Sequence, residues 1–117
     1  MIRIKRVFEA PSQDDGCRIL IDRLWPRRLT RRRAKVDLWF KDIAPSDELK
    51  NWLVNDPLKG IEFMRRYFHE LDNKKETILQ IIEKTKDKGV TLLYGAKDKE
   101  MNHAVVLQEY LKAQIRR

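Results

Sequence analysis

The sequence predicts an α/β domain built on a mostly parallel sheet, and three observations carry that reading. Two short, strongly apolar runs, Ile19-Leu20-Ile21 and Val90-Thr91-Leu92-Leu93-Tyr94, have the β-branched content of strands buried on both faces. Between them lie segments whose apolar residues recur every three or four positions, the period of a helix with one buried face. Strands alternating with helices then imply a sheet layered by helices. The expectation is one small three-layer domain over residues 1–117, with roughly four strands and about four to five helices.

Each element has its own signal. Ile2 and Ile4 alternate with Arg3 and Lys5, which marks a half-exposed edge strand ending near Phe8. Residues 10–16 are turn-rich. A central strand follows over Arg18–Trp25, and Pro26 stops it. The connection between these strands, about nine residues, is shorter than the dozen or more that a parallel crossover usually takes, so an antiparallel pairing stays open beside a parallel one. Residues 36–43 fit either a third strand or a short helix. Ser46 is a good helix N-cap, with Asp47 and Glu48 favouring the first turn. That helix is expected to reach about Val54. Asp56-Pro57 opens the next helix, whose apolar stripe is Leu58, Ile61, Met64, Phe68 and Leu71. Asn73–Glu76 has the pattern of a capping box, before a helix carrying Ile78, Leu79, Ile81 and Ile82 and closed by Gly89. After the strand at 90–96 and a polar loop, a last helix starts near Asn102 and buries Leu107, Tyr110 and Leu111.

Composition narrows the classes. The chain has 117 residues, 42% of them apolar and 38% charged, enough for a core under a highly charged surface. No stretch approaches the ~20 apolar residues of a membrane span. The N-terminus lacks the apolar run of a signal peptide. Cys17 is the single cysteine, which excludes an internal disulfide, a cysteine-based zinc site and a C-x-x-C redox motif. A cytoplasmic location is expected. No metal site or cofactor is expected either: the two histidines stand apart and no glycine-rich phosphate loop occurs. His69 reads as solvated, His103 as an exposed first helical residue, and Cys17 as a small buried filler.

The net charge of +8 is concentrated. Residues 1–41 hold 12 Lys/Arg against 5 Asp/Glu, and the remainder is nearly neutral. Six of the nine residues from Arg27 to Lys35 are basic, a solvated run suited to phosphate contact.

Several motifs together resemble the YeaO-like family of small bacterial proteins. They are Gly16-x-Arg18, Asp22-Arg23-Leu24-Trp25-Pro26-Arg27, Trp39-x-Lys41-Asp42-Ile43-Ala44-Pro45-Ser46, Leu49-x-x-Trp52, Asp56-Pro57, Phe63 with Tyr67, Leu92-Leu93-Tyr94-x-Ala96-x-Asp98 and Asn102-x-Ala104-Val105-Val106-Leu107. The resemblance implies a small α/β fold and brings no reaction, because the family is a domain of unknown function. Three positions depart from its usual pattern: Arg28 replaces Gly, Gly95 replaces Ala and Asn55 replaces His.

Ligands of open α/β sheets bind beyond the carboxyl ends of the strands. Three motif segments are expected there. They bring Arg23, Trp25, Arg27, Lys41, Ser46, Tyr94, Lys97 and Asn102 as ligand-binding candidates, with Asp22 or Asp98 for proton transfer. The first functional expectation is therefore a protein that binds, or acts on, a small phosphate- or carboxylate-bearing ligand. The second is a nucleic-acid binder using the 27–35 run. The third is an interaction module that pairs through its edge strand. No membrane partner is expected.

Overall fold

The structure is a computed structural model and describes residues 1–54, 60–95 and 102–116. Its strands are β1 (Ile2–Arg6), β2 (Cys17–Leu20), β3 (Leu38–Trp39) and β4 (Val90–Tyr94). Its helices are α1 (Arg31–Ala34), α2 (Asp47–Val54), α3 (Gly60–Asp72), α4 (Lys75–Thr85) and α5 (His103–Arg116). The sheet runs β1-β4-β2-β3, and every neighbouring pair is parallel.

The antiparallel alternative for the first two strands does not arise: β1 and β2 are not neighbours, because β4 lies between them. The short connection suffices because it carries only a 3₁₀ turn, Gln13–Asp15, rather than a helix. It has only to return along a strand of about 17 Å and cross two strand spacings of about 4.8 Å, within reach of ten extended residues at about 3.3 Å each. Just before β2, Gly16 (φ 65°) lets the chain pass against Gly89, the residue before β4; a Cβ at Gly16 would lie 2.5 Å from the Gly89 carbonyl oxygen. Residues 36–43 resolve as a two-residue strand and then a 3₁₀ turn over Lys41–Ile43.

Alternation along the strands sorts two faces. Ile2, Ile19, Ile21, Val90, Leu92 and Tyr94 share a core with residues of α2–α5. Leu20 and Leu93 form a smaller core with Val7 and Ala34, flanked by Trp25, Leu29, Val36 and Trp39. The layer over this second face is thin: the loop after β1 and the segment carrying one-turn α1. On α3 the buried residues are Phe63, Tyr67 and Leu71. Ile61, placed on the stripe by its spacing, is 81% exposed. Leu58, Asn55, Asp56 and Pro57 lie outside the described residues. The Asn73–Glu76 capping box does not form; Lys74 occupies the cap position without a side-chain bond, and Asn73 donates to the His69 carbonyl. A capping box closes instead at Ser12–Asp15. Leu79 faces solvent.

β1 is the sheet edge, as expected. Main-chain bonds at Met1 and Val7 turn the odd-numbered residues toward β4, leaving Ile2, Ile4 and Arg6 outward. Gln108 donates to the Ile2 carbonyl, and Glu9 takes up both main-chain groups of Arg6. These bonds blunt the edge for a pairing strand. Among the described residues no helix is long and apolar enough to cross a membrane.

A buried ion network pins the thin layer. Asp15 and Arg18 are 3% and 4% exposed and joined by an ion pair. Lys5 Nζ reaches Asp15 at 3.0 Å, and the Ser12 N–H donates to it at 2.9 Å. Arg18 also donates to the carbonyls of Ala34 (2.7 Å) and Lys35 (3.1 Å), the C-terminal end of α1. Burial alone raises the Asp15 pKa, but the donors from Ser12, Lys5 and Arg18 outweigh it and hold the carboxyl below its ordinary 3.8. Because the folded value is the lower one, this stabilisation is complete above pH 3.8 and is lost as pH falls through the folded-state value. Acid titration of stability is thus expected to steepen below about pH 4. Asp15→Asn, weaker at neutral pH, should lose that slope, and an unchanged acid limb would contradict the assignment.

Candidate functional site

Asp22 follows β2 and stands at the carboxyl end of the sheet. Its Oδ2 accepts the Gly95 N–H at 2.8 Å, and its main-chain carbonyl accepts the Trp39 indole N–H at 2.7 Å. A Cβ at Gly95 would come within 2.9 Å of Oδ2, so the family's more usual Ala would push the carboxylate aside. Asp22 Oδ1 lies 3.1 Å from His103 Nε2, at the start of α5. The better-aligned contact of Nε2 is the Ile21 carbonyl at 3.3 Å, and Oδ1 is buried with no donor directed at it. His103 is thus not an exposed first helical residue: its side chain is 11% exposed and packs edge-on to Tyr67. Tyr67 donates to the Ile43 carbonyl at 2.6 Å. Burial, with Glu70 and Asp22 nearby, raises its pKa well above 10.0, so it stays a neutral donor.

The other candidates do not converge on Asp22. Arg23 Nη2 donates to the Pro45 carbonyl at 3.1 Å, and its Nε lies 3.7 Å from Asp47. Ser46 does start α2, since its Oγ accepts the Leu49 N–H, but its own N–H and hydroxyl both donate to Glu70, at 2.9 and 2.6 Å. The helix start has been filled by an anion of the chain itself. Tyr94 is buried in the main core. Asn102 is buried and caps α5, its Oδ1 accepting from Ala104 and Val105. Lys97 and Asp98 lie outside the described residues. Among the described residues no group of three or more His, Cys, Asp or Glu side chains could hold a metal. Cys17 packs half-buried against the core, and burial followed by the Asp37 charge raises its pKa above 9.0, away from a reactive thiolate.

Trp25, Arg27 and Lys41 belong to a different surface, built on the thin layer. Trp25 donates to the Leu29 carbonyl at 2.6 Å, closing the turn that opens the basic run. Thr30 caps α1 by accepting the Arg33 N–H. Lys35 ends α1 in the left-handed region (φ 46°), where the buried Arg18 meets the last carbonyls. Arg27, Arg28, Arg31, Arg32, Arg33 and Lys35 are all exposed. None of the six pairs with a carboxylate among the described residues. Lys41 lies over the Trp39 ring, 4.2 Å from its centroid.

Arg28 sits in the left-handed region at φ 65°. The family's glycine at this position is the residue that turn prefers, and the chain keeps the turn while adding a charge. A left-handed non-glycine costs about 1–2 kcal/mol. Glycine's extra unfolded freedom gives back about 0.5–1 kcal/mol. Arg28→Gly should therefore raise Tm by about 2–5 °C; a lower Tm would mean that Arg28 makes stabilising contacts.

Two features escaped the sequence reading. Glu70 sits in the last turn of α3, 24 positions from Ser46, so no local pattern pairs them. His103 follows the cap residue, and only the sheet order places it against Asp22.

A family model described as the inactive DUF488-N3 subclade matches residues 1–117. Uncharacterized protein YeaO of Escherichia coli (strain K12) is 37% identical over 112 residues, 96% of this chain and 97% of that protein. Uncharacterized protein Rv3073c of Mycobacterium tuberculosis (strain ATCC 25618 / H37Rv) is 34% identical over 110 residues, 94% of this chain and 92% of that protein. No solved structure matches. The motifs that resembled the YeaO-like family are thus borne out by a match along the whole sequence, and the chain belongs to the inactive DUF488-N3 subclade.

Proposed function

We propose that the protein is a non-catalytic binder of nucleic acid and that the 27–35 segment is its contact face. The observation that carries this reading is the set of six exposed cations, on a braced turn and helix, that pair with no carboxylate among the described residues. Surface cations held for stability would form ion pairs, and among the described residues these form none. Fixing them on the turn and on α1 reduces the ordering cost of meeting a phosphate backbone. The family's description as inactive agrees with a binding role.

The small-ligand reading has weaker support. Arg23 and Lys74 line a cleft of about 290 Å³ beside Ser46, but the Glu70 carboxylate lines it too and repels an anion. Asp22 already holds Gly95 and neighbours His103.

The test is a salt titration of binding to a labelled oligonucleotide. About six neutralised phosphates should give a slope of log K on log salt near −5. A flat dependence, or no binding at low salt, would end this reading.

A further inference from the structure

Beside the basic run stands an aromatic pair that the charge argument does not use. Trp25 and Trp39 meet edge to face, with centroids 5.4 Å apart and planes at 66°. Both indoles are anchored by their N–H groups, Trp25 to the Leu29 carbonyl and Trp39 to the Asp22 carbonyl. Both rings are only partly buried. Over each lies a cation: Arg31 Cζ is 5.0 Å from the Trp25 centroid, and Lys41 Nζ is 4.2 Å from that of Trp39. Neither cation pairs with a carboxylate among the described residues.

From this we infer that the nucleic acid is single-stranded, with a base stacked on Trp39 in the place Lys41 now covers. This inference rests on the proposed nucleic-acid reading and adds the class of strand. A base stacked on an aromatic ring holds more firmly than a solvated lysine over the same ring. The displaced Lys41 is a flexible point charge and turns to the adjacent phosphate, so the exchange keeps its electrostatic contact. Arg31 makes the same exchange available at Trp25, on the side of the basic run. A duplex gives phosphates to the cations but keeps its bases stacked inside, so it offers the rings nothing. The anchored indoles also give the base a prepared platform, unlike rings that must be ordered on binding.

The experiment uses the full chain carrying Trp52→Phe, so that fluorescence reports Trp25 and Trp39 alone. Three probes are titrated at one salt concentration: an oligothymidylate of about fifteen nucleotides, a duplex of the same length, and inorganic polyphosphate. The single strand should bind about tenfold or more tightly than the duplex and quench the indole emission, while polyphosphate binds without quenching. Trp39→Leu should remove most of the preference and leave the duplex affinity unchanged. Wild-type quenching is the readout that stands if this variant fails to fold. Equal binding of strand and duplex with unquenched emission would overturn the stacking inference and leave the basic-face reading intact. No salt-sensitive binding of any probe would overturn both.

Discussion

Replacing Arg18 by alanine is expected to cost about 3–5 kcal/mol of folding stability, the usual penalty for breaking a buried pair from one side. Three groups lose their partner at once. Asp15, 3% exposed, keeps only Lys5 and the Ser12 N–H. The carbonyls of Ala34 and Lys35 lose the guanidinium that bonds them across 16 and 17 positions of sequence. Domains are stable by only about 5–15 kcal/mol, so the loss is a large fraction of the whole. Lys5→Ala should cost much less, because Lys5 is 24% exposed and Arg18 remains on Asp15. Denaturant unfolding of both variants checks the contrast. An Arg18→Ala loss under about 1 kcal/mol would mean that water replaces the guanidinium there.

The second large effect is on binding. Replacing Arg27, Arg28, Arg32 and Arg33 together by glutamine should weaken nucleic-acid affinity at about 0.1 M salt by roughly 100-fold or more. Measured with a duplex probe, the salt slope should fall from near −5 to near −2. Arg31 and Lys35 are kept because one covers Trp25 and the other ends α1 in a left-handed turn. The four replaced side chains are exposed and form no ion pair among the described residues, so folding should change little and the loss is electrostatic. A change in affinity below about threefold, with the slope unchanged, would place the contact elsewhere.

Much of the fold was legible from local pattern. β4 was clear because its five residues are all buried and bounded by glycines. The Ser46 cap and the α5 start were readable because a cap is a short-range device. Strand order was not readable. The argument from loop length treated sequence neighbours as spatial neighbours, and β4 inserted itself between them. The site was legible as residue types and not as geometry. Arg23 and Ser46 were read as ligand-binding groups, but their partners Pro45 and Glu70 are set by tertiary packing; Lys41, read the same way, lies over Trp39 two positions before it. The basic run was plain in the sequence. Its bracing by a buried arginine of β2 was not, since Arg18 looked like one more cation at a strand start. Arg28 shows the family comparison at its most useful: a missing glycine marked the turn that the backbone still makes.

The position of β4 also governs when this molecule can come into being. The strand that joins β1 to the rest of the sheet spans residues 90–94, more than eighty residues after β1. During synthesis β1 therefore emerges first and waits without a neighbour while some eighty residues follow. Until β4 is released, the sheet has no centre and the main core lacks Val90, Leu92 and Tyr94. Such a topology delays its long-range contacts and folds slowly for its size. A shortened chain ending before residue 90 would hold every basic residue of the contact face and no sheet to mount it on.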